Sequence, residues 1–430
     1  MNDAPARTKA LEQPFGLPPM PDRPLQRMFG ALAERSDIPF RIEFADGSVI
    51  GKPDADPAFT IRFCSHEAEL RGALFGPLGL LESYFDGDID IDGDISRMFR
   101  AGFEAGLDFQ PNRVVKLRNR WHELQHSNRS LVRAKANARF HYGHGVEFYR
   151  PWLDTHGMMY TCAYWKEGTK TLEEAQRNKI DHVCRKVRLA RGETFVDVGC
   201  GWGGLLFQAW EDYGALGTGV NATTEQVDEV NAEIVRRGLG ERIRVVECDM
   251  REIPGQYDKL LSIGTLEHAG PDALPDVVRA HADALKPGGL GVIHFIGHVG
   301  TRDTDFFIRE YIFPGGWIPS LSQAIDCMES CGLEILDIEN LRRHYALTLD
   351  VWAERFDRNW EAIRRLDPRR FDERFRRIWR TYLWSCAEVF RTKTPQLDLF
   401  QVTVSKGSVT DSYPMSRSFL YGSGDAKQRE

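Results

Sequence analysis

Four glycines between positions 199 and 204 follow an apolar run, Phe195–Val198, that contains the acidic residue Asp197. Glycine accepts positive φ angles and lets a ligand approach the backbone closely. A buried strand that breaks into such a turn and then opens a helix places a nucleotide-like ligand at the carboxyl end of a parallel sheet. The segment therefore predicts a cofactor site; a tight turn with a purely structural role is the alternative. Its candidate residues are Asp197, Gly199, Gly201 and Gly203.

The order of these residues bears on which cofactor binds. Dinucleotide-binding folds prefer G-x-G-x-x-G, with an acidic residue about 20 residues later. Here the order is D-x-G-x-G-x-G, and the next strand-like run, Ala215–Val220, ends at Asn221 with no carboxylate at its tip. This arrangement favours S-adenosylmethionine over NAD.

Acidic and imidazole side chains stand where further predicted strands end. Asp249 follows a third strand and could accept a hydrogen bond from an adenine amino group, although an ordinary loop aspartate fits equally well. Glu267 follows the apolar run 259–264, and His294 lies in another apolar run. Because ligands collect beyond the carboxyl ends of parallel strands, Glu267 and His294 are candidates for chemistry at this edge. A helix cap for Glu267 and a hydrogen-bonded core position for His294 are the structural alternatives.

The segment Met159–Trp165 combines aromatic rings, a hydroxyl and a thiol in a stretch without helix or strand periodicity. Such a stretch indicates a functional loop, with Tyr160, Thr161 and Cys162 as its candidate residues. A lone cysteine is often simply a small buried side chain, and the aromatic rings would also suit a core.

Composition limits the class of protein. The 430 residues can bury one large core or two moderate ones, and the net charge of −7 argues against general nucleic-acid binding. Eight scattered cysteines without a C-x-x-C pair fit reduced thiols in the cytoplasm, and no metal site is expected. The sequence shows neither a secretion signal nor an apolar run of about 20 residues, so any membrane contact is expected to be peripheral.

Alternation of strand-like and helical patterns predicts a doubly wound α/β domain over residues 146–406, with a helical insertion near 348–392. Its strands are expected near residues 194–198, 215–220, 243–247, 258–263, 289–295 and 334–338.

The rest of the chain divides by composition. Alternating runs near 40–44 and 59–63 predict a smaller α+β domain over residues 25–110. The other expected segments are a flexible arm (1–24), basic linker helices (111–145) and a polar tail (407–430).

The stretch 111–140 reverses the acidic balance of the chain. A basic amphipathic helix can lie on an anionic lipid surface, which predicts salt-sensitive binding to anionic vesicles. The same pattern suits a solvated helix that packs on the acidic small domain, and both interpretations stay open. Opposite the single acid Glu123 stand Arg113, Lys116, Arg118, Arg120, Arg129, Arg133, Lys135 and Arg139.

Residues Asp88–Asp94 begin like a calcium-binding EF-hand loop, D-x-D-x-D-G. The twelfth position of that loop needs a bidentate glutamate, and Phe99 stands there. An acidic surface loop is therefore expected.

Several motifs together give the chain a specific resemblance to one family. Over about residues 136–406 it resembles the cyclopropane fatty acid synthases, which include the mycolic acid cyclopropane synthases. Residues Gly79–Gly87 resemble the lipid-domain extension of the phospholipid-acting members. The resemblance implies a class I methyltransferase-like sheet, a lipid-binding N-terminal domain and dimerisation through that domain. The motifs are His141-Tyr142, Tyr160-Thr-Cys-Ala-Tyr-Trp165, Val196-Asp-Val-Gly-Cys-Gly-Trp-Gly-Gly204, Leu266-Glu-His-Ala-Gly-Pro271, His294-Phe-Ile-Gly297, Tyr311-Ile-Phe-Pro-Gly315, His344-Tyr-Ala-Leu-Thr-Leu349 and Gln401-Val-Thr-Val-Ser405.

The resemblance also implies roles for single residues. The bicarbonate-binding set that it implies is Cys162, Glu267, His294, Ile296 and Tyr345. All of these except Ile296, together with Tyr142, are the implied catalytic side chains. The cofactor contacts implied by the resemblance are Tyr160, Thr161, Gly199, Gly201 and Gln226. The predicted sheet edge adds four further candidate cofactor residues, Asp197, Gly203, Asn221 and Asp249.

Members of this family transfer a methyl group from S-adenosylmethionine to a cis double bond of an acyl chain, lose a proton and close a ring. The resemblance thus implies an enzyme on the inner, cytoplasmic face of a membrane, acting on unsaturated phospholipid. An alkene is a weak nucleophile, so the methyl donor must be held in line with it. Methyl transfer creates a carbocation, which needs a dry site. The aromatic faces of Tyr142 and Tyr345 could stabilise this cation. A raised pKa is expected for Glu267, because it would share a proton with the bound anion.

The chain departs from the family pattern at Gly143, Val146, Asn221 and Phe295. We expect these changes in the cap over the cofactor and in the wall of the acyl channel, where they could redirect the cation. A C-methyltransferase making methyl-branched or methylene lipids is therefore the alternative. A small-molecule methyltransferase would have no use for a bicarbonate set. A non-catalytic lipid-binding protein would be favoured only if the glycine loop or Glu267 were lost.

Overall fold

The computed structural model describes residues 24–52, 55–106, 113–300, 302, 304–392, 397–410 and 412–421. Most of the predicted arm and the last nine residues of the predicted tail lie outside the described residues. Among the described helices, none is both long and apolar enough to cross a membrane.

The N-terminal region is built on a small mixed sheet of order β2-β1-β3-β4, in which β1 and β3 are parallel and the other pairs are antiparallel. Phenylalanines fill the space beneath it; Phe40 stacks on Phe59 and Phe44 on Phe63, each with ring centroids 5.3 Å apart. The elements are α1 (Pro24–Arg35), β1 (Phe40–Glu43), β2 (Val49–Gly51), β3 (Phe59–Phe63), α2 (His66–Phe75), α3 (Pro77–Asp86), β4 (Ile89–Gly93) and α4 (Ile95–Glu104).

The acidic segment predicted as a surface loop is instead strand β4, so that prediction was wrong. Ile89 and Ile91 pair with Phe63 and Ile61 of β3. The intervening Asp90 accepts a hydrogen bond of 2.8 Å from Arg377 Nη2. Isoleucine and aspartate alternate with the period of a half-buried strand, and that period outweighed the acidic composition.

A second, seven-stranded sheet has the order β10-β11-β9-β8-β5-β6-β7. The run from β9 to β7 is parallel, and β11 is antiparallel to both of its neighbours. The elements are α5 (Arg113–His126), α6 (Leu131–Tyr142), α7 (Val146–Tyr149), α8 (Leu172–Lys186), β5 (Thr194–Val198), α9 (Gly204–Tyr213), β6 (Leu216–Asn221), α10 (Thr224–Arg237), β7 (Ile243–Glu247), β8 (Tyr257–Ile263), α11 (Leu274–Ala284), β9 (Leu285–Gly297), α12 (Leu321–Ser330), β10 (Leu333–Asn340), α13 (Arg342–Leu366), α14 (Glu373–Arg391), β11 (Asp398–Lys406) and α15 (Ser418–Tyr421). A 3₁₀ turn, Leu266–His268, follows β8, and a π-helical turn, Ile308–Ile312, follows β9.

The predicted doubly wound sheet is confirmed, and its six predicted strands lie within a few residues of the expected positions. Strand β11 was not predicted, although its motif residues 401–405 carried the resemblance. It returns to the sheet only after the helical insertion and inserts between two strands that precede it in the chain. Local periodicity gives no sign of that long-range pairing.

The helical insertion consists of α13 and α14, and its aromatic side chains share one apolar core with the N-terminal region. Trp352 and Trp379 are buried in this core together with Phe40 and Phe85. The N-terminal region is therefore packed against the insertion by apolar contact as well as by ion pairs.

Glu388 of α14 is the polar centre of this contact. It is 1 % exposed and accepts hydrogen bonds from Ser96 Oγ at 2.7 Å and from Arg100 Nε at 2.8 Å, while Arg391 also pairs with it. Replacing Glu388 by Ala would leave these donors without their anion, so we expect the free energy of unfolding to fall by about 3–5 kcal/mol. Chemical denaturation measures this change.

The control is Glu361→Ala at an exposed position of α13, which should change the same free energy by less than about 0.5 kcal/mol. Equal effects of the two substitutions would contradict the structural role of Glu388.

Candidate active site

A cavity of about 260 Å³ opens beyond the carboxyl ends of β5, β6 and β8. The glycine loop, the segment 158–161 and the 3₁₀ turn after β8 form one part of its wall. Side chains of α6, α13 and α14 form much of the rest, together with the π-helical turn and the loop that follows it. The cavity thus joins the predicted cofactor edge of the sheet to an apolar chamber beneath the helical insertion.

The glycine loop forms the floor of this cavity. Gly199 and Gly201 have φ angles of +76° and +54° and line the cavity with the buried Asp197. A Cβ atom on Gly199 would lie 2.6 Å from Thr265 Cγ2, so the loop leaves no room for a side chain there. Gly203 does not line the cavity; it is the N-cap of α9, with a φ of +82°.

Gly199→Ala is expected to weaken cofactor binding, because it adds both backbone strain and a clash with Thr265. Gly201→Ala is a matched control, since a Cβ atom there meets no other protein atom within 4 Å and adds backbone strain without a clash inside the protein. We expect about tenfold weaker binding of S-adenosylhomocysteine from strain alone in the control, and a clearly larger loss in Gly199→Ala. Isothermal titration calorimetry measures both, and an equal loss in the two variants would contradict the clash.

Two polar residues, one at the end of β6 and one in α10, form a fixed part of the wall. Asn221 Nδ2 donates a 3.0 Å hydrogen bond to Gln226 Oε1, and Asn221 Oδ1 accepts one of 2.9 Å from the Thr223 backbone. Asp249 also lines the cavity, and Arg251 holds both of its carboxylate oxygens, at 2.6 and 3.0 Å. Its proposed contact with an adenine amino group would therefore have to be shared with Arg251.

Glu267 sits in the 3₁₀ turn after β8, at the junction of the two parts of the cavity. Its Oε1 atom accepts a 2.7 Å hydrogen bond from the Ile296 backbone. Its Oε2 atom is buried and has no hydrogen-bond partner among the described residues. Burial raises the pKa of this carboxyl to about 7, against a lowering effect of the Ile296 hydrogen bond. Oε2 can therefore carry a proton at neutral pH and is available to a ligand.

The structure brings only part of the predicted anion-binding set to the cavity wall. Glu267, Ile296 and Tyr345 line the cavity, whereas Cys162 and His294 do not. His294 is buried, its Nδ1 atom lies 3.0 Å from Gln401 Nε2, and burial lowers its pKa to about 3. The imidazole is therefore neutral.

The Cys162 thiol is also buried and donates a 3.2 Å hydrogen bond to the Ala163 carbonyl oxygen. Burial raises its pKa, so the thiol stays protonated. Burial raises the pKa of Tyr345, and the nearby Cys162 and Glu267 contribute to that rise.

Tyr142 reaches the cavity from the end of α6. Its Oη atom lies 3.1 Å from His268 Nε2, which joins α6 to the 3₁₀ turn that carries Glu267. Burial lowers the pKa of His268 to about 4, so this contact is between neutral groups.

The sequence led us to expect an acyl channel, but most of the residues that line the apolar chamber were not predicted. The motif around Phe313 was noted without a role, and the spacing of Tyr382, Cys386 and Phe390 on α14 is equally typical of an ordinary core. Tyr382 Oη accepts a 3.1 Å hydrogen bond from Tyr160 Oη, which ties the chamber to the cofactor segment. The missed wall residues include Asn128, Asn137, Ile308, Phe313, Tyr382, Cys386, Phe390 and Leu397.

All four departures from the family pattern were expected at the cap and the channel wall, and for three of them that prediction was wrong. Gly143, Val146 and Phe295 do not line the cavity, whereas Asn221 does. Phe295 packs on Phe400 with ring centroids 5.9 Å apart, in the core on the other face of the sheet. Neighbouring side chains of a strand point to opposite faces, so Phe295 points away from the side of Ile296.

A buried lysine stands behind the cofactor wall. Lys179 of α8 is 0 % exposed, and its Nζ atom donates a 2.8 Å hydrogen bond to Thr161 Oγ1. Burial lowers its pKa to about 8, and the nearby Asp154, Cys162 and Asp197 oppose that shift. The helical periodicity of this segment did not indicate that Lys179 is buried, since a lysine in a helix is usually exposed to solvent.

Comparison with known proteins agrees with this arrangement. Residues 129–402 match the mycolic acid cyclopropane synthetase family. A probable fatty acid methyltransferase of Pseudomonas putida is 33 % identical over 82 % of this chain and 89 % of its own. The cyclopropane-fatty-acyl-phospholipid synthase of Escherichia coli K12 is 34 % identical over 77 % of this chain and 84 % of its own.

A solved structure of a mycolic acid cyclopropane synthase, complexed with SAH and CTAB, is similar with a TM-score of 0.58. It is 30 % identical and covers 63 % of this chain and 98 % of its own. The cradle at Gly199, which a Cβ atom would fill, and the buried carboxylate of Asp197 fit the same type of cofactor here. The chain therefore belongs to the mycolic acid cyclopropane synthetase family and is an S-adenosylmethionine-dependent methyltransferase.

Proposed function

We propose that this enzyme adds a methylene group to the cis double bond of unsaturated phospholipid acyl chains and so forms cyclopropane fatty acids. One observation carries the proposal. The buried, unpartnered Oε2 atom of Glu267 lies between the glycine loop and an apolar aromatic chamber in a single cavity. A methyltransferase for small polar substrates would need neither the chamber nor a buried carboxyl that can hold a proton at neutral pH.

Some residues of the cavity would bind the cofactor, and others would shield the acyl chain and its cation from water. When bound, S-adenosylmethionine supplies the methyl group to the double bond. Tyr160, Thr161 and the glycine loop would hold the cofactor, while Phe313, Tyr382 and Phe390 would exclude water from the acyl chain. The ring faces of Tyr142 and Tyr345 stabilise positive charge on the chain without attacking it.

The same carboxyl fits a bound bicarbonate. Protonated Glu267 can donate from Oε2 to an anion, and Tyr345 lines the same cavity. Bicarbonate would supply a base for the proton lost on ring closure. Neutral His294 and the protonated Cys162 thiol lie behind this wall, where they would complete the set proposed from the resemblance.

A C-methyltransferase that makes methyl-branched or methylene lipids is the second candidate. It is favoured by the close similarity to the probable fatty acid methyltransferase of Pseudomonas putida. Both reactions would use the same cofactor wall and chamber, and they differ in the fate of the cation left by methyl transfer. Loss of a proton from the transferred methyl group closes the ring, whereas loss of the proton on the methyl-bearing carbon leaves a methyl-branched chain with a double bond. A methylene chain requires a hydride shift to the neighbouring cation before the methyl group loses its proton.

Lipid mass spectrometry after expression in a host with unsaturated membranes tests the proposal. A gain of one CH2 unit in chains that resist hydrogenation supports cyclopropane formation. The same gain in chains that still take up hydrogen supports the second candidate. Lipids identical to those of a host with the empty vector would refute both. On either candidate the enzyme would work at the inner, cytoplasmic face of the membrane.

A further inference from the structure

The helix α5 has an inverted amphipathic pattern. Its apolar residues Leu117, Trp121 and Leu124 are 70 %, 64 % and 70 % exposed. Its polar residues Asn119 and His122 are buried against the protein. A surface helix of a globular protein normally shows the opposite arrangement.

The inward face of α5 explains why the helix cannot simply be rotated. Asn119 Oδ1 accepts a 3.0 Å hydrogen bond from Arg309 Nη1, and His122 Nδ1 lies 2.9 Å from Glu310 Oε2. These contacts hold the polar side chains inward and leave the apolar stripe outward. The exposed stripe is thus a fixed feature of the packed molecule.

Helix α6, which contacts α5, also carries exposed apolar side chains. Val132 and Phe140 are exposed on its outer side, whereas Asn137, Ala138 and Tyr142 line the cavity on its inner side. The outward apolar surface of the helix pair, Leu117, Trp121, Leu124, Leu131, Val132 and Phe140, is called the α5–α6 face below. Helix α6 therefore carries part of this face and also forms part of the cavity wall.

The charge around the face is cationic. Arg113, Lys116, Arg120 and Arg129 are exposed and make no ion pair within the part of the chain that the structure describes. Glu123 is the exposed acid of α5, and it lies 3.8 Å from the Arg309 guanidinium. Exposed apolar side chains ringed by cations match the boundary between the acyl chains and the headgroups of an anionic bilayer.

We infer that the α5–α6 face docks on the surface of an anionic lipid bilayer and inserts Leu117, Trp121 and Leu124 below the headgroups. This assignment rests on the proposed function, since a lipid substrate is what brings the cavity to a bilayer. The docked helix pair would place the cavity next to the acyl chains that it takes up. A second copy of the chain is the competing occupant.

Sedimentation with vesicles of phosphatidylcholine, with and without phosphatidylglycerol, tests the docking of the full-length protein. The apolar variant Leu117→Ser/Trp121→Ser/Leu124→Ser should bind the anionic vesicles at least about tenfold more weakly than the wild type. The charge variant Lys116→Gln/Arg120→Gln/Arg129→Gln should lose the preference for anionic vesicles and most of the salt dependence. The control Val235→Ser/Leu366→Ser changes exposed apolar residues elsewhere and should bind like the wild type.

Turnover separates the docking from the chemistry. The apolar variant should keep the wild-type rate on detergent-dispersed lipid and the wild-type melting temperature, and lose activity only on vesicles. Unchanged vesicle binding in the apolar variant would overturn the docking surface. If light scattering shows that the apolar variant has lost a dimer while its vesicle binding is unchanged, the face binds a second copy of the chain, and the docking surface is likewise overturned. Absence of wild-type turnover on dispersed lipid would instead refute the proposed function, while the vesicle result would still decide the surface.

Discussion

Replacing Glu267 by Gln is expected to lower the rate of lipid modification about 100-fold or more, the usual contribution of a positioned acid–base group. The amide keeps an oxygen for the Ile296 backbone and an N–H donor at the position of Oε2, but it cannot exchange a proton with the bound bicarbonate that acts as the base. Cofactor binding should stay within about threefold of the wild type, because the glycine loop is untouched. Initial rates on dispersed phospholipid and calorimetry with S-adenosylhomocysteine measure the two effects.

Glu329→Gln is the matched control, since it removes one charge at an exposed position of α12. It should keep the full rate. A Glu267→Gln enzyme with the wild-type rate would remove the carboxyl from the mechanism and leave its burial unexplained.

The same substitution has a pH-dependent effect on stability. The pKa of Glu267 is raised from 4.5 to about 7 in the folded protein. The stabilising contribution of the protonated carboxyl is therefore complete below about pH 4 and is lost as the pH rises through about 7. Gln cannot titrate, so between about pH 4 and about pH 8 the variant should gain about 3 kcal/mol relative to the wild type. Urea denaturation across this range checks the sign, and a constant difference would contradict the raised pKa.

Lys179→Met is expected to damage both stability and cofactor binding. It removes a fully buried ammonium that interacts with the carboxylates of Asp154 and Asp197. Breaking such a buried arrangement from one side leaves uncompensated charge and typically costs about 3–5 kcal/mol in the free energy of unfolding.

Binding should suffer because two cavity residues lose their partner. Thr161 loses the hydrogen bond to its hydroxyl, and the pKa of Asp197, already about 7 because of burial, rises further without the lysine. We expect the affinity for S-adenosylhomocysteine to fall about tenfold or more, the usual effect of losing a charged hydrogen-bond partner.

The control is Lys166→Met, which removes a lysine from an exposed loop position and should change neither quantity. Calorimetry is performed well below the melting temperature, so that the loss of affinity is measured on folded protein. Normal affinity in folded Lys179→Met would show that the lysine supports only the fold.

Local patterns determined much of the sheet and its cofactor edge. The strands β5 to β9 and the glycine loop follow from apolar runs and turn residues, which are properties of neighbouring positions. Glu267 was identified because it follows a strand whose carboxyl end faces ligands in any such sheet. These inferences needed only the direction of the chain and the period of its side chains.

Tertiary structure decided what lies opposite that edge. Strand β11 joins the sheet only after the insertion, and α14 brings Tyr382 to the chamber from more than 100 residues beyond Glu267 in the sequence. The face of the sheet to which Phe295 points, and the burial of Cys162 and His294 behind the cavity wall, likewise depend on packing between distant segments.

Helix α5 shows the distinction within a single element. Its sequence alone determined that it has an apolar stripe and a surplus of arginine and lysine. Its partners Arg309 and Glu310 lie 190 and 188 residues further along the chain. Only the contacts with these partners decided that the polar side of the helix faces the protein and its leucines face outward. A helical period fixes which residues share a face, but the free energy of packing against distant residues selects which face is buried.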